Sequence, residues 1–424
     1  MTKISKNLGK KCVYLVFAYY IISYILVYTF NMPRILLYVG DALNIVSFLL
    51  ALLKNKNTSK IKDTYLWMIL FTLFGIFSAL INFESITLVF WGIKNNVRFF
   101  TFFYTVVTFF DMTDIEKIKK IIKIVFFISV PLCTIERFLI SYPSGTIIGD
   151  MVGGIFWNYS GCNTPLNVII SLFMIDVANK YYSGKSNSIY FILVCCLAFY
   201  MAALAELKIF LVEFVVIILM TTILNKISIK SILKIIAVAL IFSSFISYFI
   251  AVNQTGNEYA NNYTLEGFFD YATRDSGYTG ENDLNRLTGI ITISEKIFKD
   301  NYIFKLIGVG IGNAEYTNFF NSSFYKQYGE LNYQWFHDIW LYIETGIIGI
   351  IIFGLIFISA YKASNKYLKN TEYNNYVKIA IVLMVVLFVY NISLRTETSG
   401  FLLYIVLAIP YIYNKKLIQN EEEN

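Results

Sequence analysis

The chain has 424 residues, 57% of them hydrophobic and 15% charged, with a formal net charge of +7 and a mean hydropathy of +0.60. Such a composition excludes a soluble globular protein. Short Lys/Asn-rich loops without a P-loop sequence exclude ATP-driven work within the chain, and the missing polar/apolar alternation excludes a membrane β-barrel.

Apolar runs recur in chain order at about 12–30, 35–53, 64–82, 90–110, 121–140, 163–179, 188–205, 207–225, 235–252, 339–361, 378–394 and 400–414. A helix needs about 20 apolar residues to cross the hydrocarbon layer, and it satisfies its own backbone there. The runs therefore predict an all-α polytopic membrane bundle of about 12 helices, one integral domain over 1–424. The first run follows a basic start, Lys3 to Lys11, without a small-residue cleavage site, so it reads as a retained helix.

The basic residues set an orientation. With the N-terminus inside, 23 of the 35 basic residues fall in cytoplasmic segments, all of them lysine. Both termini are then cytoplasmic, with Lys415 and Lys416 closing the last helix. All six arginines (Arg34, Arg98, Arg137, Arg274, Arg286 and Arg395) fall on the opposite side. Arginine grips phosphate or carboxylate through a planar fork, so that face suits an anionic ligand. The alternative is pairing with acids such as Glu136 and Glu397. Asp41, Lys94, Asp176, Glu206, Lys208 and Glu213 also lie in or near spans and are expected to face the interior. Glu206-Leu207-Lys208 splits a long apolar stretch into two spans, which makes Lys208 either a phosphate contact or a snorkelling turn residue. The five cysteines have no metal-ligand spacing and read as packing residues.

Between the ninth and tenth spans, residues 253–337 form a large extracytoplasmic loop with six basic and ten acidic residues. That balance gives no basic surface for nucleic acid or another polyanion. Its many aromatics suit the headgroup belt, and a few of them the C–H faces of sugars. Asp283 is placed to cap a helix from about Leu284 to Lys299, with Arg286 in its first turn and Leu287, Ile290, Ile291, Ile297 and Phe298 as its apolar stripe. Gly308-Val309-Gly310-Ile311-Gly312 follows as a turn that lets backbone approach closely.

The loop ends at the chain's single histidine, His337. A neutral imidazole there can take a proton from a hydroxyl, an imidazolium can hold a phosphate oxygen, and an inert one would merely anchor the helix. Glu344 lies on the same helical face but about 10 Å away, which suits a buried partner for an arginine or a backbone group. Gly346 and Gly349 read as close helix packing.

Leu284-Asn285-Arg286-Leu287, the glycine turn 308–312, Trp335-Phe336-His337-Asp338 and Glu344-Thr345-Gly346-Ile347-Ile348-Gly349 together resemble the O-antigen polymerase and O-antigen ligase superfamily. Members show an early loop arginine, a Gly-x-Gly turn, His-Asn and Glu-x-Gly-x-x-Gly. Asp338 departs from the commoner Asn, and Leu207-Lys208 stands where members often have Ser-Arg.

The resemblance implies an enzyme of the bacterial cytoplasmic membrane with an extracytoplasmic active face. It would polymerise polyprenyl-diphosphate-linked oligosaccharide repeats without cofactor or metal. Arg286 and His337 become the catalytic candidates; Arg98, Arg137, Lys208, Arg274, Arg395 and Glu344 become substrate-binding candidates. Expected partners are the lipid-linked glycan, the bilayer, a flippase and a chain-length regulator, and no nucleic acid. A ligase of the same superfamily is the near alternative. A flippase or other secondary transporter is the more distant one, and it would more often show repeat symmetry and broken helices.

Overall fold

The computed structural model describes residues 6–54, 62–157, 159–225, 244, 273, 277, 283–317 and 320–423. The predicted span 235–252, nearly all of 253–282 and Arg274 lie outside the described residues. Within them the fold is all-helical. Its long helices are α1 (Lys6–Tyr28), α2 (Leu36–Lys54), α3 (Lys62–Ile81), α4 (Ile86–Phe109), α5 (Met112–Phe138), α6 (Asn163–Tyr182), α7 (Ser188–Leu204) and α8 (Ile209–Asn225). Two short helices follow, α9 (Tyr302–Ile307) and α10 (Ser323–Tyr328), and then three long ones: α11 (His337–Tyr367), α12 (Glu372–Tyr390) and α13 (Glu397–Glu423).

Among the described residues, six helices are long and apolar enough to cross a membrane: α1, α2, α3, α11, α12 and α13. Helices α7 and α8 are as apolar but shorter, at 17 residues each. Helix α4 is long enough but carries Lys94, Asn95, Asn96 and Arg98, and α5 begins with a run of acids and lysines. Local signals set several starts: Ser85 caps α4, Asp111 and Asp114 form a capping box on α5, and Asn187 caps α7.

The two ends of the bundle differ in charge. At one end Lys10 meets Asp111 and Asp114, each at 2.5 Å, Lys119 meets Asp176 at 2.6 Å, and Lys185 meets Glu372 at 2.6 Å. Lys415 there donates to the carbonyls of Val107, Thr108 and Phe110, which end α4. Toward the opposite end lie Arg137, Arg286 and Arg395, beside the starts of α6, α11 and α13 and the ends of α5 and α12, with Arg98 reaching Glu397 from the middle of α4.

Two expectations need correction. The helix expected over 284–299 is only a helical turn, Gly289–Thr292, running into a π-helical turn, Ile293–Ile297. Asp283 does not cap it; its carboxylate accepts from Asn332 Nδ2 at 3.1 Å, and the Leu284 N–H donates to the Leu331 carbonyl. Leu287 and Ile291, assigned to the buried stripe, are exposed. Several loop aromatics also form a core rather than a headgroup belt. Tyr333, Phe336 and Phe298 pack with Leu284, Ile293 and Trp340 into an apolar cluster separate from that of the bundle.

Candidate functional site

Helix α11 is broken. Gly346 has φ +60° and ψ −166°, so the two halves of α11 meet there at a kink. A break frees carbonyls that must find donors elsewhere. The glycine turn supplies them: the Val309 N–H donates to the Ile343 carbonyl at 2.8 Å and the Gly310 N–H to the Glu344 carbonyl at 2.9 Å.

The turn therefore runs into the bundle rather than over it. Ser78 of α3 and Asn82, just past its end, donate to the carbonyls of Ile307 and Gly308, while Asn313 donates to the Asn82 carbonyl. A side chain at Gly310 would strike the backbone of Ala79, and one at Gly346 the carbonyl of Leu306. Gly346, expected only to let helices pack, is a conformational requirement.

Beneath the turn lies a buried charged cluster. Arg395 is paired with Glu315, and its other terminal nitrogen is 3.8 Å from Glu344. Its guanidinium stacks on Trp340 at 3.6 Å. Glu344 also accepts the Gly312 N–H at 3.0 Å, a backbone partner of the kind expected of it. Asn95 donates to Glu315 at 3.0 Å. Arg98 extends the cluster, with Glu397 at 2.5 Å, Asp41 at 3.7 Å and the Arg395 carbonyl at 3.1 Å. Arg137 pairs with Glu206 at 2.9 Å. Glu136 holds the Gly153 and Gly154 N–H groups instead, at 3.1 and 2.7 Å. These three arginines, expected to assist in anion binding, thus have carboxylate partners in this structure.

Arg286 and His337 each pack against the last residues of α12, Arg286 on Tyr390 and His337 on Phe388. Arg286 Nη1 donates to the Tyr390 carbonyl at 2.5 Å, and its guanidinium lies 3.8 Å from the Tyr390 ring centroid and 5.4 Å from that of Phe336. His337 is 2% exposed, edge-on to Phe388 at 5.0 Å and Phe353 at 5.3 Å. Neither ring nitrogen has a hydrogen-bond partner among the described residues, and Asp338 Oδ1 also lacks one. Unpaired buried polar atoms are rare enough to call for an explanation, and a bound ligand is one.

Lys208 lies in the tight turn between α7 and α8, where its N–H donates to the Glu206 carbonyl at 2.9 Å and Glu206 takes a left-handed φ of +52°. Arg286 and Lys208 both lie within electrostatic reach of Asp150, in the segment that joins α5 to α6.

Glu315 and Asp150 escaped the reading of the sequence. A signal existed for each: Glu315 is the one charged residue between Lys305 and Lys326, and Asp150 the one between Arg137 and Asp176. A lone charge in an apolar stretch is costly unless partnered. No protein-family model matches the chain, and no match was found among curated proteins.

Proposed function

We propose that the chain is a polymerase of polyprenyl-diphosphate-linked oligosaccharide repeats, working at the outer leaflet of a bacterial cytoplasmic membrane. The observation that carries this proposal is the pair of buried His337 ring nitrogens without a partner among the described residues, on a ring packed against the same helix end as Arg286. The lysine end faces the cytoplasm with both termini, following the positive-inside rule, and the arginine end faces outward. The lipid-linked glycan is the substrate, and a flippase and a chain-length regulator work alongside.

In the reaction, a sugar hydroxyl of the acceptor attacks the anomeric carbon of the donor glycan and polyprenyl diphosphate leaves. Charge growing on the leaving diphosphate is stabilised by a fixed cation, for which Arg286 is the first choice. Each hydrogen bond from a charged donor contributes about 1.5–3 kcal/mol. His337 hydrogen-bonds the transferring group through the nitrogens that lack partners among the described residues. Arg98, Arg137 and Arg395, already neutralised by carboxylates, shape the site rather than bind the diphosphate.

The test is glycan length in membranes carrying Arg286→Ala or His337→Ala at unchanged expression. Loss of long polymer from both is expected, and normal long polymer from both refutes the assignment. The same glycan separates the ligase alternative, because a strain lacking a ligase accumulates unattached long chains rather than single-repeat caps.

The break in α11 favours a second reading, a flippase or secondary transporter, since such proteins build sites at interrupted helices. Single repeat units accumulating on the inner face of a strain lacking the protein would select it; accumulation on the outer face selects the polymerase.

A further inference from the structure

Asp150 sits in a 3-10 turn, Ile148–Met151, outside the long helices. Its Oδ1 accepts from Asn163 Nδ2 at 3.2 Å, and the same amide reaches the Ala205 carbonyl at 3.3 Å. One amide therefore ties Asp150 to the turn that carries Glu206 and Lys208. The neighbouring Gly149 abuts the Glu206 side chain so closely that a Cβ there would lie 2.6 Å from it. Asn163 begins α6, which packs on both α8 and α12, and the last residue of α12 is Tyr390, the partner of Arg286.

The carboxylate thus has one oxygen held in place, while Oδ2 has no hydrogen-bond partner among the described residues. The titratable groups around it are Glu206 and Lys208 from the α7–α8 turn, Arg286 from the loop and Cys162 at the start of α6, with Arg137 behind Glu206. Burial pushes the carboxyl above the ordinary aspartate range, opposed by the Asn163 amide, with Glu206 adding to the rise and Arg286 and Lys208 opposing it. A carboxylate with one oxygen fixed by an amide, and with Arg286 and Lys208 within electrostatic reach, suits a general base beside an anionic leaving group. In the polymerase reading His337 is already engaged with the transferring group, which leaves the acceptor hydroxyl to another base.

We infer that Asp150 is the general base of the transfer, taking the proton of the acceptor hydroxyl, an inference that rests on the polymerase reading above. As the acceptor oxygen bonds to the anomeric carbon, its proton passes to Asp150. The bond from that carbon to the diphosphate oxygen breaks, and its electron pair leaves on the diphosphate beside Arg286 and Lys208. Water then takes the proton from Asp150 and resets it.

The experiment uses the full chain in lipid nanodiscs. The probe is the lipid-linked repeat units extracted from a strain that lacks the protein, and initial rates of polymer formation are measured across pH. The wild type should show an acid limb, its rate falling as Asp150 is protonated. Asp150→Asn should lower kcat by about 10²–10⁴-fold with little change in KM and should lose that limb. Asp150→Glu, judged folded by its thermal midpoint, should recover part of the rate and restore a limb. An active wild type with Asp150→Asn within threefold of it, or with the limb unchanged in that variant, overturns the role of Asp150 and leaves the polymerase reading intact. A folded wild type that makes no polymer from these units overturns both.

Discussion

Replacing Gly346 with alanine tests the broken helix directly. The backbone there has φ +60° with ψ near 180°, a region open essentially to glycine alone, and holding another residue in it costs about 1–3 kcal/mol. The added methyl would also collide with the Leu306 carbonyl and the Ile307 nitrogen. These atoms are backbone and cannot swing aside, so α9 must shift, at a further cost of about 1–3 kcal/mol for overpacking. Together the two effects predict a loss of about 2–6 kcal/mol. Gly354 is the internal control, because it lies in the same helix with nothing within 4 Å of an added Cβ. Alanine at that position should be neutral or stabilise by up to about 1 kcal/mol through helix propensity. Unfolding of both variants would be followed by denaturant titration in the same detergent micelles. If Gly346→Ala proves as stable as Gly354→Ala, the left-handed break in α11 is wrong.

Two further predictions concern charge. Arg395→Met should destabilise by about 3–5 kcal/mol, because Glu315 and Glu344 would stay buried without their cation; in the same titration, adding Glu315→Gln should recover part of that loss, and a purely additive loss would deny the pairing. At the lysine end, burial raises the Asp111 carboxyl, but hydrogen bonds from Lys10, Thr113 and Lys6 outweigh it and hold the group well below the usual carboxylate range. A depressed folded value means that the stabilisation is complete above the unfolded pKa of about 3.9 and is lost as pH falls through the folded value. Asp111→Asn should therefore lower stability at neutral pH and flatten its acid-side decline, and an unchanged pH dependence would contradict the contact.

The helices were legible in the sequence because apolar runs have few alternatives in a membrane, and helices stand at all eleven predicted runs that fall within the described residues. The separation of Arg98, Arg137 and Arg395 from the ion-paired Lys10, Lys119 and Lys185 was legible too. The break at Gly346 was hidden because Gly-x-x-Gly serves close packing and a left-handed backbone alike, and only contact with residues 306–310 separates the two. The helix after Asp283 failed for a different reason: Asp-Leu-Asn-Arg has the local pattern of a cap. Its groups were taken instead by Asn332 and Leu331, about 50 residues later, and tertiary hydrogen bonds outweighed a propensity of a few tenths of a kcal/mol per residue. At the candidate site, the types of Arg286 and His337 drew notice, but the surface both pack against is the end of α12, which neither motif contains.

The pairing of the glycine turn with α11 also constrains how the chain is made. The turn leaves the ribosome before α11 exists, when α3 and α4 are already available to receive it through Ser78, Asn82 and Ala79. The first half of α11 carries carbonyls at Ile343 and Glu344 that its own helix leaves unserved, and an unserved backbone group in lipid costs several kcal/mol. Helix α11 is therefore a poor candidate for insertion on its own. The donors it lacks are laid down ahead of it in the chain, and its biogenesis becomes a matter of order as well as hydrophobicity.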